Sequence, residues 1–229
     1  MTRNRPSSKP KPPILRRSPK QARSRDRVTE ILKVSADLIG EKGIDAVTMK
    51  EIGSKSGGPI ASVYQYFPDK AAILATLYEA YVAETRAILQ ATIANIRTAQ
   101  DAMVAPGQLL DAYYKIMQKD ASAIEILNAI KASKLLGQQD IEETRAQVQD
   151  FYDATAGYVK APRRDEYKGT LFILSNMADA CVRLALMHPR PQAAAVVENF
   201  KGIVNAQAAE FIGGIIPAGF LLPPGVRPQ

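Results

Sequence analysis

Thr48-Met49-Lys50-Glu51-Ile52-Gly53-Ser54-Lys55-Ser56-Gly57-Gly58-Pro59-Ile60-Ala61-Ser62-Val63-Tyr64-Gln65-Tyr66-Phe67-Pro68-Asp69-Lys70 is the stretch that decides the fold. Thr48 and Glu51 have capping-box spacing, which opens a short helix with Ile52 as its inward anchor. Ser56-Gly57-Gly58-Pro59 breaks that helix. Pro59 presets φ for a second short helix, about Ile60 to Tyr66, and Pro68-Asp69 stops it. Two short helices joined by a glycine turn, after a longer one, form a helix-turn-helix. Such a unit reads DNA by placing its second short helix in a major groove.

Outward from this stretch the sequence stays helical. Upstream, Val28, Ile31, Leu32, Ser35/Ala36 and Ile39 recur on one helical face, and Gly43 ends that helix. Downstream, periodic segments run near 70–96, 106–118, 121–136, 140–159, 164–187 and 191–212. Breaks are expected at Ala105-Pro106-Gly107, Gly137, Ala161-Pro162 and His188-Pro189-Arg190-Pro191. No period-2 strand and no internal repeat is visible. The expected fold is all-α: a basic arm over 1–24, a three-helix DNA-binding domain over 25–70, a larger helical ligand-binding and dimerisation domain over 71–212, and a Pro/Gly-rich tail over 213–229. Phe220, Leu221 and Leu222 in the tail suggest docking on the body.

Charge is concentrated at one end. The chain of 229 residues has a formal net charge of +7. Residues 1–25 hold nine basic residues and no acid, while residues 26–70 hold six basic and seven acidic ones, close to neutral. Five prolines in the arm forbid a regular helix there. Its composition fits either a solubilising tail or an arm that tracks phosphates and releases counterions. With one cysteine, Cys181, and one histidine, His188, an intrachain disulfide and a His-rich metal site are excluded. Cys181 lies in an apolar helix and reads as an inert thiol. No nucleophile–base pair, metal-ligand spacing or phosphate-cradling loop appears, so neither enzyme activity nor a cofactor is expected. No run of about 18 apolar residues and no signal segment is visible. The expectation is therefore a cytoplasmic protein with no membrane partner.

Ile31-Leu32, Gly43, Thr48, Ile52, Gly57 and the run Ala61-Ser-Val-Tyr64-Gln-Tyr66-Phe67-Pro-Asp-Lys70 resemble the signature of the tetracycline-repressor (TetR) family. Tyr-x-Tyr-Phe-x-x-Lys is its most specific part, and the resemblance covers about residues 25–75. It implies a phosphate contact at Thr48, at a helix N-terminus suited to anions. It also implies phosphate contacts at Tyr64 and Lys70, with Lys50 nearby on the DNA side. Pro59, Ile60, Ala61, Ser62 and Gln65 then face base edges. Gln65 suits adenine, and Ile60 or Ala61 suits a thymine methyl. Arg23 and Arg25, at the arm's junction, are candidates for the minor groove. Val63, Tyr66 and Phe67 are expected in the core. Gly53, Ser56, Gly58 and Pro59 depart from the family pattern. The missing side chain at Gly58 removes a staple between the short helices, so the reading head is expected to be loose and to lean on the arm.

The larger domain offers candidates for a pocket holding a small apolar or amphipathic ligand: Leu110, Tyr113, Tyr114, Met117, Asn128, Phe151, Tyr152, Phe172, Asn176 and Met177. The same apolar mixture also fits ordinary core. Val196, Val197, Phe200, Ile203, Val204 and Phe211 form a stripe on the last helix. The resemblance implies a homodimer interface there, two helices from each subunit. The expected function is a ligand-responsive homodimeric repressor on a palindromic operator in double-stranded DNA. The alternative is a regulator of the same fold with no small-molecule ligand, controlled by a protein partner.

Overall fold

The computed structural model describes residues 22–120 and 122–213. Most of the basic arm, and Phe220, Leu221 and Leu222, lie outside them. Among the described residues the structure is all-α: α1 (Ala22–Ala46), α2 (Met49–Lys55), α3 (Ile60–Tyr64), α4 (Lys70–Ile93), α5 (Ala99–Met117), α6 (Ala123–Ala132), α7 (Lys134–Thr155), α8 (Arg164–Leu186) and α9 (Arg190–Gly213). Single 3₁₀ turns at Ala156–Tyr158 and Ala161–Arg163 join α7 to α8.

The chain divides into two compact units. One comprises residues up to Tyr81 together with Ser122–Gln139; the other comprises Val82–Ala121 and the chain from Asp140 on. This departs from the expected boundary after residue 70. The first unit extends into α4 and takes in α6, which packs on α1. Its core is Val28, Ile31, Leu38, Ile39, Val47, Ile52, Val63, Tyr66 and Phe67, all buried. Helical geometry persists in α1 up to Gly43, whose φ of +75° is left-handed, as a C′ glycine requires.

Gly40 sets how closely α1 meets α6. A Cβ there would lie 2.6 Å from Ser122 Cβ and 2.7 Å from Ser122 Cα. Gly40→Ala should therefore overpack the contact. Because the clash involves backbone, the cost of roughly 1–3 kcal/mol should outweigh the helix-propensity gain of about 1 kcal/mol. Thermal denaturation should show a midpoint several degrees lower. A raised midpoint would mean that the two helices are not in contact at Gly40.

Two expected breaks, Pro106 in the second unit and Gly137 in the first, are not breaks. Helix α5 starts at a capping box, with Thr98 Oγ1 accepting from Asp101 N at 3.2 Å and Asp101 Oδ2 accepting from Thr98 N at 2.8 Å. It then runs through Pro106. The proline disturbs local helix bonding, and Gly107 N donates to Asn205 Oδ1 of α9 at 3.0 Å. A Cβ at Gly107 would stand 2.6 Å from that oxygen, so only glycine admits the asparagine. Likewise α7 runs through Gly137. The interruption is at Ser133, which is extended (φ −78°, ψ 116°) and accepts from Leu136 N at 3.3 Å.

The core of the second unit gathers Leu89, Ile96, Ala102, Ala105, Val148, Phe151, Val159, Tyr167, Leu171 and Phe211. Tyr167 is enclosed, donates to Thr155 Oγ1 at 2.9 Å and has its pKa pushed up to about 12 by burial. By length and composition one described stretch, Ala161–Leu186, is apolar enough to cross a membrane, with mean hydropathy 1.3. The stretch carries Lys168, Asp179 and Arg183 among its charged residues, so it is not an unbroken run of about 18 apolar residues. Only 17% of that window is buried, and Ile173, Met177 and Leu184 are exposed on it.

Candidate nucleic-acid interface

Local chemistry places the two short helices. Thr48 is extended (φ −117°, ψ 149°), and its Oγ1 accepts from Glu51 N at 3.2 Å, which opens α2. Glu51 meets Lys42 at 2.6 Å. The hydrogen bond from that ammonium, its main cause, holds the carboxyl below its ordinary pKa. Gly57 turns the chain with φ +71°, and Pro59 (φ −64°, ψ 147°) starts α3.

Side chains then sort by face. Val63, Tyr66 and Phe67 are buried, while Pro59, Ile60, Ala61, Tyr64 and Gln65 are exposed. The exposed set forms one continuous edge of α3 and its cap. Thr48 and Lys50 are also exposed. Ser62 is half-buried, and its Oγ accepts from Arg27 Nη2 at 2.9 Å. Arg27 Nη2 also donates to Ser56 Oγ at 3.0 Å, and Nη1 donates to the Ser56 carbonyl. Sequence reasoning missed Arg27, since its partners lie 29 and 35 residues away. Local spacing carries no signal for it. The expectation of a loose head is corrected accordingly: the space left by Gly58 is taken by this guanidinium, 2.8 Å from where a Cβ would stand.

Lys70 was expected to touch phosphate. Here its Nζ donates to the Ile44 and Asp45 carbonyls, at 2.8 and 3.3 Å. It thereby ties the start of α4 to the chain that follows the Gly43 break in α1. Arg25 is exposed on α1, which begins at Ala22. Arg23 and Arg25 thus sit on helical backbone rather than at a flexible junction, because no proline follows Pro19 to stop the helix. The side chain of Arg23 lies outside the described residues.

The proposed ligand-lining residues are distributed over both units, Asn128 in the first and the others in the second. Phe151 is in the second unit's core, and Tyr152 and Phe172 pack against it, so their rings fill the interior. Arg145 also stacks over Phe172, 4.4 Å from the ring centre. Asn128 is exposed on α6, in the other unit. Asn176 is exposed and bonds its own helix at the Phe172 carbonyl, 2.8 Å away. Met177 is 46% exposed. Leu110 and Met117 are buried on α5, with Tyr113 and Tyr114 half-buried. Tyr113 Oη lies 3.1 Å from Asp179 Oδ1 on α8.

The α9 stripe needs a similar correction. Val197, Phe200, Val204 and Phe211 are buried within the single chain, where α9 packs on α5 and α8. Val196 is half-buried and Ile203 is exposed. The outward apolar surface belongs chiefly to α8, with Ile173, Met177 and Leu184 at i, i+4 and i+11. Cys181 Sγ is partly enclosed, 3.7 Å from the Val196 carbonyl, and burial raises its pKa. That disfavours the reactive thiolate.

Residues 31–77 match the family model of the bacterial regulatory proteins of the tetR family. Residues 97–211 match that of the tetracyclin repressor-like C-terminal domain. No curated protein matches the chain. Among solved structures, a TetR-family transcriptional regulator from Streptomyces coelicolor is similar at 20% identity and TM-score 0.60, over 82% of this chain and 98% of that one. The TetR-family regulator PfmR from Thermus thermophilus is similar at 18% identity and TM-score 0.57, over 79% and 94%. The ketosteroid transcriptional regulator KstR2 of Mycobacterium tuberculosis is similar at 15% identity and TM-score 0.53, over 83% and 95%. With a helix-turn-helix in its first unit and both family models matched in order, the chain belongs to the TetR family of DNA-binding transcriptional regulators, which are not enzymes.

Proposed function

We propose that the protein is a homodimeric repressor that reads a palindromic operator with α3 and releases it on binding a small apolar or amphipathic molecule. The observation that carries the reading is the exposed edge of α3, where Ile60, Ala61 and Gln65 stand outward beside Tyr64, above a fully packed face. That edge offers apolar contacts for thymine methyls, an amide for adenine and a phenol for phosphate. Thr48 and Lys50 supply further phosphate contacts, which position the protein without reading sequence.

The exposed apolar face of α8, with Ile203 of α9, supports a second copy as its cover, since two such faces are self-complementary about a twofold axis. For the ligand, support comes from the half-buried Tyr113–Asp179 bond and the Asp179–Arg183 pair at 3.5 Å. Leu110, Tyr113 and Met117 lie on one face of α5 at i, i+3 and i+7. Polar groups set among apolar ones are what an amphipathic molecule requires. KstR2, a structural neighbour, is named for ketosteroids.

The test is selection from a randomised duplex library with the full chain, followed by Gln65→Ala on the recovered duplex. An inverted repeat should emerge. The variant should lose about 1–3 kcal/mol of discrimination at one base position in each half-site, with binding to scrambled DNA nearly unchanged. Recovery of no common sequence would overturn the reading. Release by a protein partner but by no small apolar molecule would overturn its ligand half.

A further inference from the structure

Arg27 joins three elements through one planar group. Carried on α1 and half-buried, its guanidinium bonds the carbonyl and hydroxyl of Ser56 at the end of α2 and the hydroxyl of Ser62 on α3. Ser56 is 4% exposed, and its own Oγ donates to the Gly53 carbonyl at 3.3 Å. With its proton so used, that oxygen turns its lone pairs to Arg27. Gly58 leaves room for the guanidinium. Gly53 lets the two short helices close up, since a Cβ there would stand 3.1 Å from Ile60 Cα. Three departures from the family pattern, at Gly53, Ser56 and Gly58, thus fit one another: two make space, and one supplies acceptors.

We propose that Arg27 is the positioning residue of the reading helix, its fork fixing the angle between α2 and α3 and, through Ser62, which side chains of α3 meet base edges. The consequence falls on sequence preference rather than on attraction to DNA. A guanidinium spent on Ser56 and Ser62 is not spent on a phosphate, and a lysine would keep the charge without the planar fork. The proposal rests on α3 being the reading helix.

The experiment compares binding to the duplex recovered by selection with binding to a scrambled duplex of equal length and composition. It uses the full chain carrying Arg27→Lys, Arg27→Ala, Gly58→Ala, or Arg27→Ala with Gly58→Ala. Each single variant should lower the preference ratio about tenfold, as expected for coupled neighbours. Arg27→Lys should leave scrambled-duplex affinity unchanged. Gly58→Ala acts chiefly by pushing the guanidinium aside, its Cβ otherwise meeting only the rotatable Ser62 hydroxyl at 3.2 Å, so it should add little once Arg27 is alanine. Circular dichroism establishes that each variant is folded. Should Arg27→Ala unfold, Ser62→Ala replaces it, removing only the acceptor on α3, and should lower the ratio likewise.

Three results would overturn the proposal while leaving the α3 reading intact: full preference in Arg27→Lys, equal losses on both duplexes, or additive effects in the double variant. The second would make Arg27 a phosphate contact. A wild-type protein with no preference at all would overturn the α3 reading and this proposal together.

Discussion

Met177→Glu should convert the proposed dimer to monomers without unfolding the subunit. Met177 is 46% exposed within its own chain, so a carboxylate there is solvated in the monomer and meets no apolar wall. In the dimer it would face the α8 surface of the second copy beside Ile173 and Leu184. Leaving a buried charge unpaired costs roughly 3–5 kcal/mol, and a twofold axis enters that cost twice. A dissociation constant raised at least about a thousandfold should show in sedimentation velocity as a single slow species. Operator binding should fall with it, because two linked reading heads become two independent ones. Phe200→Glu provides the contrast. Phe200 is 7% exposed in its own subunit, so a charge there should lower the thermal midpoint rather than separate folded copies. A Met177→Glu protein that still sediments as a dimer would place the interface elsewhere.

Removing the basic arm should cause the second large effect. Lys9, Lys11, Lys20 and four arginines precede Gln21, while residues 26–70 are close to neutral, so the reading unit has little charge of its own. Each phosphate neutralised contributes a slope of about −0.9 in log affinity against log salt. If four arm charges engage, a chain starting at Gln21 should lose roughly 3–4 from the slope magnitude per subunit. Across a fourfold range of salt that amounts to about a hundredfold in affinity. Preference for the selected duplex over the scrambled one should change less, since phosphate contacts carry no direct sequence information. Titrations at several salt concentrations settle it. Equal slopes would make the arm a solubilising tail.

The two effects separate the protein's work into parts. On the proposed reading, the arm would supply attraction, α3 preference, and the α8 face the link between two heads. Arg27 belongs with preference. Its variants should be nearly silent in the salt slope, whereas arm removal should be nearly silent in the preference ratio. Measuring both quantities for every variant keeps these roles distinguishable.

Read alone, the sequence determined the all-α class, the family and the position of the helix-turn-helix, because those rest on local chemistry. A threonine cap at Thr48, a left-handed turn at Gly57 and a proline at the start of α3 act within a few residues of themselves. The burial of Val63, Tyr66 and Phe67 follows from helical periodicity in the same way. Only the tertiary structure decided what each face meets. Periodicity marks an apolar stripe on α9 but not its partner, and Val197, Phe200, Val204 and Phe211 are buried within the single chain. Pro106 reads as a break, yet α5 continues through it beside Asn205, 98 residues from Gly107 in sequence. Lys70 reads as a phosphate ligand, and only the structure shows that its ammonium also donates to the Ile44 and Asp45 carbonyls. Gly58 reads as a missing staple until Arg27 is seen in its place. Each of these depends on groups brought together from distant positions, and such contacts leave no trace in the spacing of neighbouring residues.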